Sequence, residues 1–119
     1  MNENIITMAE FSIKPDELDN FKALVKEMIE ATQANEPDMM TYEFFINEDG
    51  MSCQIIERYV DSAAVMTHLG HFGPKFGDRF MALAESKGSK VCGNPSDELR
   101  EVMSSFGARI FAPVGGFTR

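Results

Sequence analysis

Ile55-Ile-Glu-Arg-Tyr-Val-Asp-Ser-Ala-Ala-Val-Met-Thr-His-Leu-Gly-His-Phe72 reads as a strand that runs straight into a capped helix. Ser52 to Val60 is apolar or β-branched enough for a strand. Asp61 stands where a helix N-cap belongs, its carboxylate able to accept from the free N–H groups of the first turn. Val65, His68, Leu69 and Phe72 follow at the spacing of one helical face, so His68 points the same way as its apolar neighbours. A titratable ring on such a stripe is either a satisfied core histidine or part of a pocket. With His71, it is one of only two histidines in the chain.

Upstream, Ile5 to Ile13 alternates as a strand, and Pro15 with Asp16 opens a helix. Leu18, Phe21, Leu24, Val25, Met28, Ile29 and Thr32 make one apolar stripe on that helix. It stops before Glu36-Pro37-Asp38, because a residue preceding proline avoids helical angles. Met40 to Asn47 and Ser52 to Val60 flank Glu48-Asp49-Gly50, a hairpin connection. Downstream, the Asp61 helix is expected to break near Gly70. Gly73-Pro74 then restarts a helix carrying Phe76, Phe80, Leu83 and Ala84. Lys90 to Gly93 reads as a strand. Ser96 caps a helix bearing Leu99, Val102, Met103 and Phe106, Gly107 ends it, and Arg109 to Val114 reads as a last strand. The order β-α-β-β-α-β with an added helix and strand predicts a ferredoxin-like α+β sandwich, one domain spanning residues 1–119.

The strand faces add a constraint. Ile5, Thr7, Ala9, Phe11 and Ile13 share one face of the first strand, while Ile6 and Met8 take the other. In the second strand Met40, Tyr42, Phe44 and Ile46 face one way and Phe45 the other. A sheet with helices on one side and water on the other alternates more cleanly than this. The second face needs a cover, and a second copy of the sheet is the economical one.

Composition bounds the function classes. A chain of 119 residues buries roughly two-thirds of its unfolded surface. A net charge of −8 without a basic cluster argues against nucleic acid or an anionic membrane as partner. No apolar run approaches a membrane span, and the start Met-Asn-Glu-Asn lacks the basic opening of a signal peptide, so a cytoplasmic protein is expected. Cys53 and Cys92 fall in strands without a Cys-x-x-Cys motif and read as buried free thiols. His68 and His71 stand at i, i+3, but with no third ligand marked we expect no metal, and His71 reads as a loop-facing surface residue. Gly115-Gly116 opens no helix, and neither a Gly-x-Ser-x-Gly elbow nor a dinucleotide fingerprint is present.

Glu57, Tyr59, Asp61, the pair Ala63-Ala64 and His68 together resemble the antibiotic biosynthesis monooxygenase family. Its pattern is a strand ending in Glu-x-aromatic, an Asp-initiated helix with an Ala pair, and a His near that helix's end. The family usually has Trp where this chain has Tyr59, and this chain has no Trp. The resemblance implies a homodimer whose two sheets pack into an α+β barrel. It also implies cofactor-independent oxygenation of electron-rich aromatics such as quinols or polyphenols. Its catalytic candidates here are His68 as proton acceptor, Glu57 as buried base or hydrogen-bond partner, and Tyr59. Tyr42, Phe72, Phe76 and Phe80 are the candidate substrate contacts. Each has a plainer alternative: a core histidine, a paired carboxylate, packed tyrosines, a core aromatic stripe. Two other readings stay open, a dimeric protein that binds a small apolar ligand without turnover, and a haem-degrading relative.

Overall fold

The computed structural model describes residues 2–119. In chain order the elements are β1 (Ile5–Ile13), α1 (Leu18–Asn35), β2 (Met39–Ile46), β3 (Ser52–Tyr59), α2 (Ser62–Phe72), a π-turn (Gly73–Gly77), α3 (Asp78–Leu83), β4 (Ala84–Cys92), α4 (Asp97–Ser105) and β5 (Arg109–Phe111). The strands form one sheet in the order β2-β3-β1-β4-β5, antiparallel except for the parallel β4–β5 pair. This is the ferredoxin-like α+β arrangement with an added helix and strand.

The local signals act as expected at most ends. Asp61 Oδ1 accepts from the Ala64 N–H at 2.9 Å, and Ser96 Oγ accepts from the Leu99 N–H at 3.2 Å. The hairpin closes through Asn47 Oδ1, which accepts from the Ser52 N–H at 3.0 Å. Helices cover one face of the sheet. There Ile13, Cys53, Ile55 and Ala84 meet Phe21, Leu24 and Met28 of α1 together with Phe76 and Phe80. Ile5, Tyr59 and Val91 meet Val65 of α2 and Leu99 and Met103 of α4. On the opposite face Ile6, Met8 and Ile56 are half-buried, while Phe45 and Phe111 are exposed.

Six expectations need correction. The helix does not break at Gly70 but continues to Phe72. Gly73-Pro74 does not restart a helix either. Pro74 has no N–H to give the Gly70 carbonyl, and the chain widens into a π-turn that leads directly into α3. Ala84 belongs to β4, which is nine residues long rather than four. Its Ala-Glu-Ser-Lys-Gly-Ser start carries little strand propensity, so hydrogen bonding to β1 holds it, with a register shift beside Glu10 and Phe11. β5 ends at Phe111, ahead of Pro113, and not at Val114. A bulge between Met39 and Thr41 turns Met39 toward the helices and leaves Met40 exposed, against the predicted alternation. Cys53 is buried as predicted, whereas Cys92 is only half-buried.

Gly93 closes β4 at φ +136°, and a Cβ there would sit 2.9 Å from the Asn4 carbonyl oxygen and 3.0 Å from Ile5 Cδ1. Both the backbone angle and the space exclude a side chain. Gly93→Ala is expected to cost about 2–3 kcal/mol in urea unfolding. A loss under about 0.5 kcal/mol, the range of ordinary surface changes, would show that the β1–β4 junction is not so constrained.

Candidate active site

Between the two clusters of packed side chains lies an apolar chamber of about 140 Å³. Its polar wall is assembled from four elements. β1 supplies Thr7, β2 supplies Tyr42, β3 supplies Glu57 and Tyr59, and α2 supplies His68. Glu57 and Tyr59 lie two apart on β3 and so share the inward face. Arg58 points the other way, where its Nε donates to Asn4 Oδ1 at 3.0 Å. His68 is buried, and its Nδ1 lies 2.9 Å from Glu36 Oε1. A carboxylate is an acceptor, so this bond places a ring proton on Nδ1 and turns Nε2 toward the chamber.

Nε2 of His68 stands 3.8 Å from Glu57 Oε1, too far for a direct hydrogen bond. An oxygen atom at hydrogen-bond distance, about 2.8 Å, from both would complete a triangle with them. Glu57 is held on its other side by Tyr59, whose hydroxyl donates to Oε1, and by the Thr7 hydroxyl. Burial raises the Glu57 carboxyl above its ordinary range, outweighing the opposing effects of His68, Tyr59 and Thr7; the Glu36 charge adds to the rise. Burial also raises the Tyr42 and Tyr59 phenols, and the Glu57 charge pushes in the same direction. The Tyr42 ring meets His68 edge-on at 5.2 Å between centroids, and Phe72 stacks on it at 6.1 Å. Burial pushes the Cys53 thiol up to about 11, so it is a packed group and not a nucleophile near neutral pH.

The structure thus brings His68, Glu57, Tyr59, Tyr42, Phe72 and Phe80 to one chamber. Phe76 is not among its lining; it turns to the core below and to a groove outside. Sequence reasoning missed Glu36, which ends α1 and is buried beneath α2. A signal was available. A carboxylate at the negative end of a helix dipole, with no basic residue in the last turn, is locally unfavourable and calls for a partner. His71 also differs from expectation. It lies within α2, half exposed, with Nδ1 3.3 Å from Glu36 Oε2. Among the described residues no group of three or more His, Cys, Asp or Glu is placed to hold a metal ion. Nor is any helix there long and apolar enough to cross a membrane.

The raised Glu57 carboxyl has a thermodynamic consequence with a definite sign. Its folded value lies above the ordinary 4.5, so the native state binds the proton more tightly than the unfolded chain. Its contribution to stability is complete below the ordinary carboxylate range and is lost as pH rises through the raised value. Glu57→Gln keeps the acceptor for Tyr59 and removes the titration. We expect it to raise the melting temperature at neutral pH and to abolish the loss of stability that Glu57 imposes as pH rises above the carboxylate range, each pKa unit being worth about 1.4 kcal/mol. An unchanged melting profile would mean that Glu57 ionises freely in the fold.

The sequence model described as antibiotic biosynthesis monooxygenase matches residues 4–87. No functionally curated protein matches the chain. Among solved structures, MupZ from Pseudomonas fluorescens is 26% identical with a TM-score of 0.87, over 99% of this chain and 96% of that one. An antibiotic biosynthesis monooxygenase is likewise 26% identical with a TM-score of 0.62, over 73% of this chain and 92% of its own. A mutant of SnoaB, a cofactor-independent oxygenase from Streptomyces nogalater, is 17% identical with a TM-score of 0.64, over 75% and 90% of the two chains. That last likeness is one of fold alone.

Proposed function

This chain belongs to the antibiotic biosynthesis monooxygenase family, and from its chamber we propose that it oxygenates small electron-rich aromatic substrates, quinols or phenols, without a cofactor. The observation that carries the reading is the approach of His68 Nε2, with Nδ1 committed to Glu36, to the buried Glu57 carboxyl, 3.8 Å apart at the wall of an apolar chamber. A substrate hydroxyl at their apex gives its proton to Nε2, and Glu36 takes up the charge on the imidazolium through Nδ1–H. In its protonated form, which burial favours, Glu57 donates a hydrogen bond to the resulting oxyanion. The substrate anion is the electron donor and dioxygen the oxidant. For a phenol one oxygen atom enters the ring to give a quinone, and the other leaves as water with the two displaced hydrogens. The resemblance of fold to SnoaB, described as a cofactor-independent oxygenase, supports this choice.

Tyr59 takes the place of the usual Trp here and serves to hold Glu57 rather than to meet the substrate directly. The haem-degrading alternative is less favoured, because Tyr59 stands in place of the Trp that such relatives usually carry and the chamber measures about 140 Å³. Homodimerisation through the outer sheet face is part of the proposal, because that face carries Ile6, Met8, Ile56, Phe45 and Phe111 without a cover.

The purified protein should consume oxygen with hydroquinones or catechols, and chelators should leave the rate unchanged. His68→Ala is expected to lower kcat by about 100-fold or more while the circular dichroism spectrum stays native. Oxygen uptake by no aromatic would favour a binding protein without turnover. A rate that His68→Ala leaves intact would remove His68 as the base. In sedimentation at micromolar concentration the chain is expected at twice its 13.3 kDa mass; a stable monomer would contradict the covered-face argument.

A further inference from the structure

The chamber is small for an enzyme acting on whole aromatic metabolites. Pockets for small molecules usually span about 300–1,000 Å³, whereas a dry cavity of about 150 Å³ holds one benzene. At about 140 Å³ the chamber matches the space that one six-membered ring fills. On the far side of the same wall lies a groove of about 560 Å³ between the end of α1 and the α2–π-turn segment. His68 and Phe72 line both spaces, so the partition between them is one side chain thick. Phe72 is the last residue of α2, at the edge of the π-turn, and is only partly buried. The groove differs in chemistry from the chamber, being lined by Thr32, Asn35, Glu36, His71 and Lys75 among its polar groups.

We propose that the groove is a second subsite and that the substrate is a single ring carrying a long, uncharged, hydroxyl- or amide-bearing tail. This rests on the aromatic reading of the chamber and names the kind of substrate. The ring enters past Phe72 and places its hydroxyl between His68 and Glu57. The tail leaves by the same passage and lies along the groove. Glu36 disfavours an acid there and Lys75 disfavours an amine, while the polar side chains of the walls suit neutral hydrogen-bonding groups.

Redox-stable phenols test this by calorimetry without turnover. The probes are phenol, 1-naphthol, and a phenol with a para-hydroxyhexyl tail. The tailed phenol is expected to bind at least about tenfold more tightly than phenol, and naphthol to bind more weakly than either. Asn35→Trp fills the groove from an exposed position at the end of α1 and should abolish the gain from the tail while sparing phenol itself. Lys75→Trp does the same from the opposite wall, so a folding defect in one variant leaves the other to decide. Naphthol binding as well as phenol, or a tail gain that survives both substitutions, would overturn the assignment. If no aromatic is oxidised and the tail gain is nevertheless lost in these variants, the oxygenase reading falls and the two-part site stands.

Discussion

The hydrogen bond between Glu36 and His68 is the constraint on which the rest of the site depends. It joins the end of α1 to the middle of α2 across 32 residues of sequence and fixes both groups out of water. A carboxylate and an imidazole buried apart would each carry a desolvation cost; paired, they satisfy one another. No buried side-chain nitrogen or oxygen among the described residues lacks a partner, although Thr7, Tyr42, Glu57, Tyr59 and His68 all converge on an apolar chamber. With Nδ1 committed to Glu36, the ring has one orientation and one free nitrogen. The direction in which the site can take a proton is therefore set by a residue outside the chamber.

The fold was legible where one physical signal dominates, and obscure where tertiary contacts override it. The α1 stripe, the Asp61 and Ser96 caps and the Asn47–Ser52 hairpin all follow from local chemistry. β4 does not, because a polar run becomes a strand only when β1 offers its edge. The π-turn was misread for a related reason. Gly and Pro close together signal a break, but a continuous helical path can absorb the missing Pro74 donor by widening one turn. In the site, the residues on one periodic face were readable: His68 from the α2 stripe, Glu57 and Tyr59 from β3. Glu36 and Thr7 were not, since their roles arise from pairing across elements: the end of α1 signals that the Glu36 carboxylate needs a partner, but not which residue supplies it. Glu36 in particular sits before Pro37, where the sequence explains it well enough as the end of a helix.

The two faces of the sheet divide the work between them. The helical face encloses the chamber, and every strand that lines it also presents apolar atoms on the opposite side. Substitutions on the outer face would reach the site through the backbone of β1 and β3, which carry Thr7, Glu57 and Tyr59 on their inner side. An uncovered outer face would leave those strands less well held than the helices that oppose them.

Charge accounting inside the chamber narrows the chemistry further. Glu57, Tyr42 and Tyr59 are all pushed toward their neutral forms, first by burial. A substrate that loses a proton there finds no second anion among these three to repel it. It finds instead a carboxyl that burial pushes toward its neutral, hydrogen-bond-donating form, itself backed by the Tyr59 hydroxyl. In the proposed reaction that proton passes to His68, whose other nitrogen already faces Glu36. The ion pair formed on deprotonation thus lies between two groups arranged beforehand to stabilise its two ends. In an apolar space such preorganised groups act far more strongly than they would in water. The same space would penalise a substrate that arrives already ionised, so the proposed reaction calls for a neutral hydroxyl that becomes an anion only after it is bound.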